Sequence, residues 1–417
     1  MMNRQQCTVI IVVLLMATFM MWGCSTFKTI RPHLSPAQNQ LAKVLSGEAL
    51  LGDGASQLPL PEEDIFEITP EMRDFLNMHV PSRLNNYYKL KALSKAVRDK
   101  SLLGWKPNAY KTYSASKSFH HKQGSCLSYA IMMMVLGREL GLDLYFNEVE
   151  MPFSYDMKTA QYVRFRHVNV FAKACGKHKI LDLDLEEYDS SYRQHRITDS
   201  AVEAHYYNNR GVYYLNVGNM EQAFLHFRKA LALQPELDFL WANIGVLYLR
   251  NGHYKEAEAA LLNTLVLAPS NTTAIYNLQR LYVKQDNTEL ANYYGQEAER
   301  HRMKNPYYRY SLAKHLLKNK QPDLALRHIK SSIRMCRKEH LFHFLAARIY
   351  ARLGKYDDME ESLERAARLT ENEKTRLQYQ SKLARLKNIP KQDSTHLETV
   401  FAKTDYRQAE DVYIQQD

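Results

Sequence analysis

The sequence predicts an α+β domain over residues 62–200 followed by an all-α helical-repeat solenoid over residues 204–373. Three observations carry this. A small or polar residue returns every 34 positions in the second half, at Gly211, Gly245, Gln279, Ala313 and Ala347. Ahead of that repeat, an apolar helix opening at Cys126 is followed by strand-like runs at Leu144–Met151, Val163–Ala172 and Lys179–Leu185. The chain has 417 residues and is 45% hydrophobic, enough for two or three cores.

The first 24 residues read as a targeting segment. Arg4 supplies a basic start, and Thr8 to Met21 is an uncharged apolar run shorter than a membrane span requires. It ends in Met21-Trp22-Gly23-Cys24. A small residue directly before a cysteine at this distance resembles the lipobox of bacterial lipoproteins, although Met21 and Trp22 depart from that pattern's usual leucine and small residue. The resemblance implies a signal peptide at 1–23, lipidation of Cys24 and a lipidated tether over 24–61. Ser25, where an aspartate would retain the protein at the inner membrane, implies attachment to the outer membrane, facing the periplasm. The alternative is an uncleaved anchor; either reading exports the chain. Cleavage removes one arginine, so the formal charge of +11 becomes +10. Of five cysteines, Cys126, Cys175 and Cys336 then remain as thiols. An odd number in an oxidising compartment favours at least one unpaired thiol, and so few cysteines exclude a disulfide-built scaffold.

Within the tether, Ser35 and Pro36 suggest a short helix over Pro36–Leu45, and the folded unit is expected to start near Ile65. Thr69-Pro70 opens a helix by the same cap-then-proline signal, Leu84–Asp99 reads as a second, and Cys126–Glu139 as a third that stops at Gly141-Leu142.

The 34-residue period also places Tyr214, Tyr248, Tyr282, Leu316 and Tyr350 three positions after the small residue. It places Ala223, Ala257, Ala291 and Ala325 in the second helix, with Met359 in the last copy. Pro235 and Pro269 close the first two copies. Period and pattern resemble the tetratricopeptide repeat. Each helix pair is too small to bury its own apolar face, so pairs stack, with small residues where helices approach closely. Copy three carries Gly295 where a bulky residue is expected. Residues 374–388 read as a capping helix and 389–417 as a polar tail.

The chemistry centres on Cys126, in Gly124-Ser125-Cys126-Leu127-Ser128 at the mouth of its helix. A thiol there meets unpaired N–H groups and the positive end of the helix dipole, which favour a thiolate and can hold an oxyanion. His167 follows in a strand-like run, on the same strand face as Asn169, and Asp182 follows after a turn at Cys175-Gly176. Thiol, imidazole and carboxylate are the three parts of an activated-thiol acyl-transfer site. The plain alternatives are a buried apolar cysteine and a sheet-surface histidine, one of 16. Asp184 shares a strand face with Asp182 and is the alternative carboxylate.

Order and spacing over roughly residues 60–200 resemble the transglutaminase-like superfamily, bacterial cysteine peptidases included. The resemblance implies a papain/transglutaminase-like α+β fold, with Cys126 as nucleophile, His167 as base and Asp182 orienting the imidazole. Papain-like enzymes use a glutamine upstream of the cysteine as an oxyanion donor. Gln123 is the candidate here, although its spacing is shorter and simple solvent exposure is the competing reading. No zinc-ligand spacing or phosphate-cradling glycine loop is present, so no metal or other cofactor is expected.

Residues 301–340 contain eleven Lys/Arg against two acids. Arg302, Lys304, Arg309, Lys314 and Lys318 are candidate contacts to an acidic partner, and a solvated helix face is the alternative. The expected partners are a protein or peptide on the repeats and a membrane through the N-terminal lipid. An exported lipoprotein is not expected to meet nucleic acid. The sequence therefore points to a periplasm-facing acyl-transfer enzyme, hydrolase or transferase, whose repeats bind substrate or partner. Its rival is a non-catalytic assembly factor working through the repeats, and a third possibility is a maturation protein acting on one dedicated secreted peptide.

Overall fold

The computed structural model describes residues 35–150, 154–156, 161–163, 166–174, 177–182, 194–370, 372–391 and 394–401. Cys24, Cys175 and Asp184 lie outside the described residues, as does most of the polar tail.

The α+β region is built around one helix. Its helices are α1 (Gln38–Ser46), α2 (Glu48–Leu51), α3 (Pro70–His79), α4 (Asn86–Arg98), α5 (Ala115–His121) and α6 (Cys126–Glu139). The caps follow from sequence. Thr69 Oγ1 accepts from Met72 N at 3.4 Å, and Asn85 Oδ1 accepts from Tyr88 N at 3.1 Å. Helix α6 is buried from Leu127 to Gly137, as expected for a helix apolar all round. It packs on an antiparallel sheet of order β7-β6-β3-β8, made of β3 (Asp143–Glu150), β6 (Arg166–Ala174), β7 (Lys177–Leu181) and β8 (Gln194–Ile197). Among the described residues, short pairs β1 (Lys106–Pro107) with β2 (Gln123–Gly124), and β4 (Ser154–Asp156) with β5 (Gln161–Val163), are the remaining strands. Strand β8 was not legible in the sequence: Gln-His-Arg-Ile lacks alternation, and its pairing with β3 at the sheet edge makes it a strand.

The all-α half consists of five helix pairs. They are α7 (Asp199–Asn216) with α8 (Met220–Leu233), α9 (Asp238–Arg250) with α10 (Tyr254–Leu267), α11 (Thr272–Lys284) with α12 (Thr288–Arg302), α13 (Pro306–Lys318) with α14 (Pro322–Met335), and α15 (His340–Arg352) with α16 (Tyr356–Leu369). A further helix, α17 (Glu373–Lys387), packs on the last pair. The small residues sit where helices touch. A Cβ on Gly211 would lie 2.6 Å from the Phe227 ring, and one on Gly245 2.9 Å from Leu261. Copy three reverses the sizes. Gln279 takes the small position and Gly295 faces it, with 3.0 Å between the Gln279 amide nitrogen and a Cβ built on Gly295. The departure noted at Gly295 is thus one half of an exchange that keeps the volume of the contact.

The tether reading changes over residues 35–61. The short helix is capped at Ala37 rather than Ser35, and the segment is folded onto the first two repeats. Val44 is fully buried, and Tyr248 Oη donates to its carbonyl at 2.7 Å. Arg228 donates to the carbonyls of Ala55, at 2.9 Å, and of Leu58. At the α1–α2 junction Gly47 has φ of 77° and lies against the Phe224 ring, so this turn needs a residue without a side chain. Sequence composition suggested a spacer because it shows the prolines and glycines but not the surface that receives them.

Candidate active site

Cys126 is the first residue of α6 and is half-buried. The turn that presents it is laced by hydroxyls. Ser125 caps the helix, its Oγ accepting from Ser128 N at 3.3 Å. Ser128 Oγ accepts from Tyr113 N at 2.7 Å, and Ser125 N donates to the Lys111 carbonyl at 2.7 Å. A Cβ on Gly124 would fall 2.6 Å from Ser128 Cβ, so this close approach requires glycine. Residues 111–113 therefore fix the entry to the helix.

His167 comes from β6. The register pairs it with Val149 and pairs Asn169 with Asn147. Val168, Val170 and Ala172 alternate into the core cluster, leaving His167 and Asn169 on the other strand face. Asp182 directly follows β7 and is 4% exposed. His167 Nε2 and Asp182 Oδ2 are 2.6 Å apart, and Asn169 Nδ2 donates to the same oxygen at 3.1 Å. Asn147 Nδ2 donates to Asn169 Oδ1 and to Gln194 Oε1, each at 3.1 Å. Cys126 lies close enough to the same ring for its interaction to raise the imidazole pKa. The three residues singled out from the sequence thus meet in space.

Burial pulls the imidazole pKa down. The hydrogen bond with Asp182, the interaction with Cys126 and the Asp182 charge outweigh it and raise the pKa to about 10. Tyr129, in the first turn after Cys126, is buried against Trp105 with ring centroids 5.1 Å apart. Burial, with the nearby Asp182 charge adding to it, raises its hydroxyl to about 12, so it stays neutral and can donate.

Gln123 is half-buried in β2, with its Oε1 accepting from Asn108 Nδ2 at 3.0 Å, which departs from simple exposure. The basic stretch divides. Arg302 Nε donates to Tyr276 Oη at 2.6 Å and stacks 4.7 Å over that ring, while Arg309 Nε donates to the Met303 carbonyl at 2.6 Å. These two pack the array internally. Lys304 and Lys318 are exposed and Lys314 is half-buried.

Ser125, Asn147 and Gln194 were missed in the sequence. Ser125 carried a readable signal, a serine immediately before a helix start. Asn147 and Gln194 carried none, because their role exists only once β3, β6 and β8 are in register. Asn147 also lines an open groove of about 540 Å³ on this sheet, with Tyr145 and Phe171 stacked at 5.4 Å.

The class defined by the second half of the fold is the tetratricopeptide-repeat array. Tetratricopeptide-repeat family models match residues 204–237, 240–271 and 343–377. Among solved structures, the chain is similar to YrrB, described as a TPR protein with an unusual peptide-binding site, at 22% identity. That match covers 42% of this chain and 91% of that one, with a TM-score of 0.23. Pseudomonas aeruginosa pilF matches at 19% identity over 52% of this chain and 100% of its own, with a TM-score of 0.28. MamA from Desulfovibrio magneticus RS-1 matches at 17% identity over 43% and 97%, with a TM-score of 0.24. No curated protein sequence matches the chain. Repeats of this class bind proteins or peptides, and the N-terminal half is a mixed α/β region with a small antiparallel sheet.

Proposed function

We propose that this chain is a thiol acyl-transfer enzyme of the transglutaminase-like type, with its repeats holding a protein or peptide. The single observation that supports the reading is the 2.6 Å pair of His167 and Asp182, with Cys126 near enough to the same imidazole to raise its pKa. In this mechanism the Cys126 thiolate attacks an amide or ester carbonyl carbon, forming the C–S bond. The N–H groups of the first turn of α6 hold the oxyanion. His167, cationic between two negative groups, gives its proton to the leaving amine or alkoxide as the C–N or C–O bond breaks. Water or an acceptor amine then attacks the thioacyl carbon, His167 takes its proton, and the C–S bond breaks. Asp182, oriented by Asn169, holds the ring throughout. Lipidation at Cys24 and attachment to the outer membrane belong to the same reading, and replacing Cys24 by serine should abolish incorporation of a labelled fatty acid.

The test is alkylation of Cys126 in the full chain at pH 6, read by mass spectrometry on the peptide that carries it. The expected result is fast modification that falls at least ~10-fold in His167→Ala, because an ordinary thiol is almost wholly protonated at that pH. Equal rates in the two proteins would end the enzyme reading. The assembly-factor reading is favoured by the repeats being the part that family models match. It predicts that Cys126→Ala is silent in cells while deletion of 204–388 is not.

A further inference from the structure

Arg166, immediately before His167, ties the sheet to the repeat array. Its Nη1 donates to Glu148 Oε1 at 2.9 Å, and its Nη2 donates to Asp238 Oδ1. The guanidinium also stacks 4.8 Å over Phe239. Glu148 is 1% exposed and Asp238 6%, so neither carboxylate has water as a substitute partner. Asp238 opens α9, and its second oxygen accepts from Asn271 Nδ2 at 2.7 Å. Asn271 caps α11. The strand end that carries His167 is therefore held, through one guanidinium, by the first helices of copies two and three. A charge in such a site is strongly coupled to its partners: losing the Asp238 charge leaves the guanidinium with Glu148 alone, and Glu148 is also faced by His195 at 3.2 Å and His205 at 3.8 Å.

We propose that Arg166 is a positioning residue through which the repeat array sets the reactivity of Cys126. Asp238 fixes the end of β6, β6 fixes the His167 ring against Cys126 and Asp182, and a protein ligand that strains copies two and three is felt at the thiol. The proposal rests on the acyl-transfer reading of Cys126, His167 and Asp182. It adds that the array regulates this site as well as bringing material to it.

A second bridge between the same halves supplies the control. Arg138 donates to both oxygens of Asp199, at 2.7 and 2.8 Å, joining the far end of α6 to α7. Arg138 lies twelve residues beyond Cys126, on the order of 18 Å along the helix axis. The experiment compares full-length wild type, Asp238→Asn and Asp199→Asn. The readouts are thermal unfolding, the pH profile of Cys126 alkylation, and the titration of the His167 ring by NMR. Arg166→Lys, which keeps the charge but loses the fork, serves if Asp238→Asn does not fold. Asp238→Asn is expected to slow alkylation at pH 6 about tenfold and to move the His167 titration, since small misplacements of a catalytic group cost rate steeply. Asp199→Asn should leave both as in wild type, and Asp238→Glu should restore part of the rate. If wild type depends on His167 but Asp238→Asn matches it, or if both bridge variants slow it equally, the coupling is wrong. If wild type shows no dependence on His167, the acyl-transfer reading itself falls and takes the coupling with it.

Discussion

In the first three copies of the repeat array, the residues that meet at the small position of each helix pair are matched in size. In the α+β domain, those that meet around His167 are polar and matched in hydrogen bonding. Gly211 against Phe227 and Gly245 against Leu261 need only volume, so either member can change if the other compensates, as Gln279 and Gly295 do in copy three. Asp182, Asn169, Asn147 and Gln194 need direction as well: each accepts or donates to the next over 3.1 Å or less, across three strands and the residue that follows a fourth. The first kind of order tolerates drift and repeats. The second fixes a unique arrangement, because a buried polar group without its partner is costly.

This contrast can be broken most forcefully at Asp182. Asp182→Asn removes one member of a buried pair and is expected to cost about 4 kcal/mol at pH 6. The sign of its pH dependence follows from His167. The folded pKa is about 10 against an ordinary 6.5, so the stabilisation is complete below 6.5 and is lost as pH rises through 10. Urea unfolding at pH 6 and pH 10 should therefore show the penalty shrinking; a constant penalty would mean that His167 is not cationic. Leu261→Ala, in contrast, should cost about 3 kcal/mol at either pH, because it removes apolar contact against Gly245 and no charge. It should leave alkylation of Cys126 at the wild-type rate.

The finest test concerns copy three. Gly295→Leu alone should cost about 1–3 kcal/mol by overpacking against Gln279. Combining it with Gln279→Gly recreates the arrangement of copy two and should recover most of that loss. A double-mutant cycle with no coupling would show that the two positions do not share one contact.

How much of this was legible depended on how local the cause was. The 34-residue period, the cap at Thr69 and the start of α6 at Cys126 all arise within one turn or one helix pair, and they stand where sequence reasoning put them. The choice of Asp182 as the His167 partner was open between two carboxylates on one strand face. The geometry shows Asp182 bonded to His167, while Asp184 is outside the described residues. The folded state of residues 35–61 was not legible, because Val44, Ala55 and Leu58 are held by Tyr248 and Arg228, roughly 170 to 200 positions away.

By itself, the sequence determined the two-part architecture, the repeat period and which thiol, imidazole and carboxylate were worth considering. These follow from helix and strand periodicity and from the few side chains able to do the chemistry. Only the tertiary structure decided that His167 pairs with Asp182, that Asn169, itself held by Asn147, orients the carboxylate, and that Arg166 fastens the strand of His167 to the repeats. Each of these depends on strand register and on packing between distant segments. A one-residue slip in β6 would turn His167 to the opposite face while leaving every local preference satisfied.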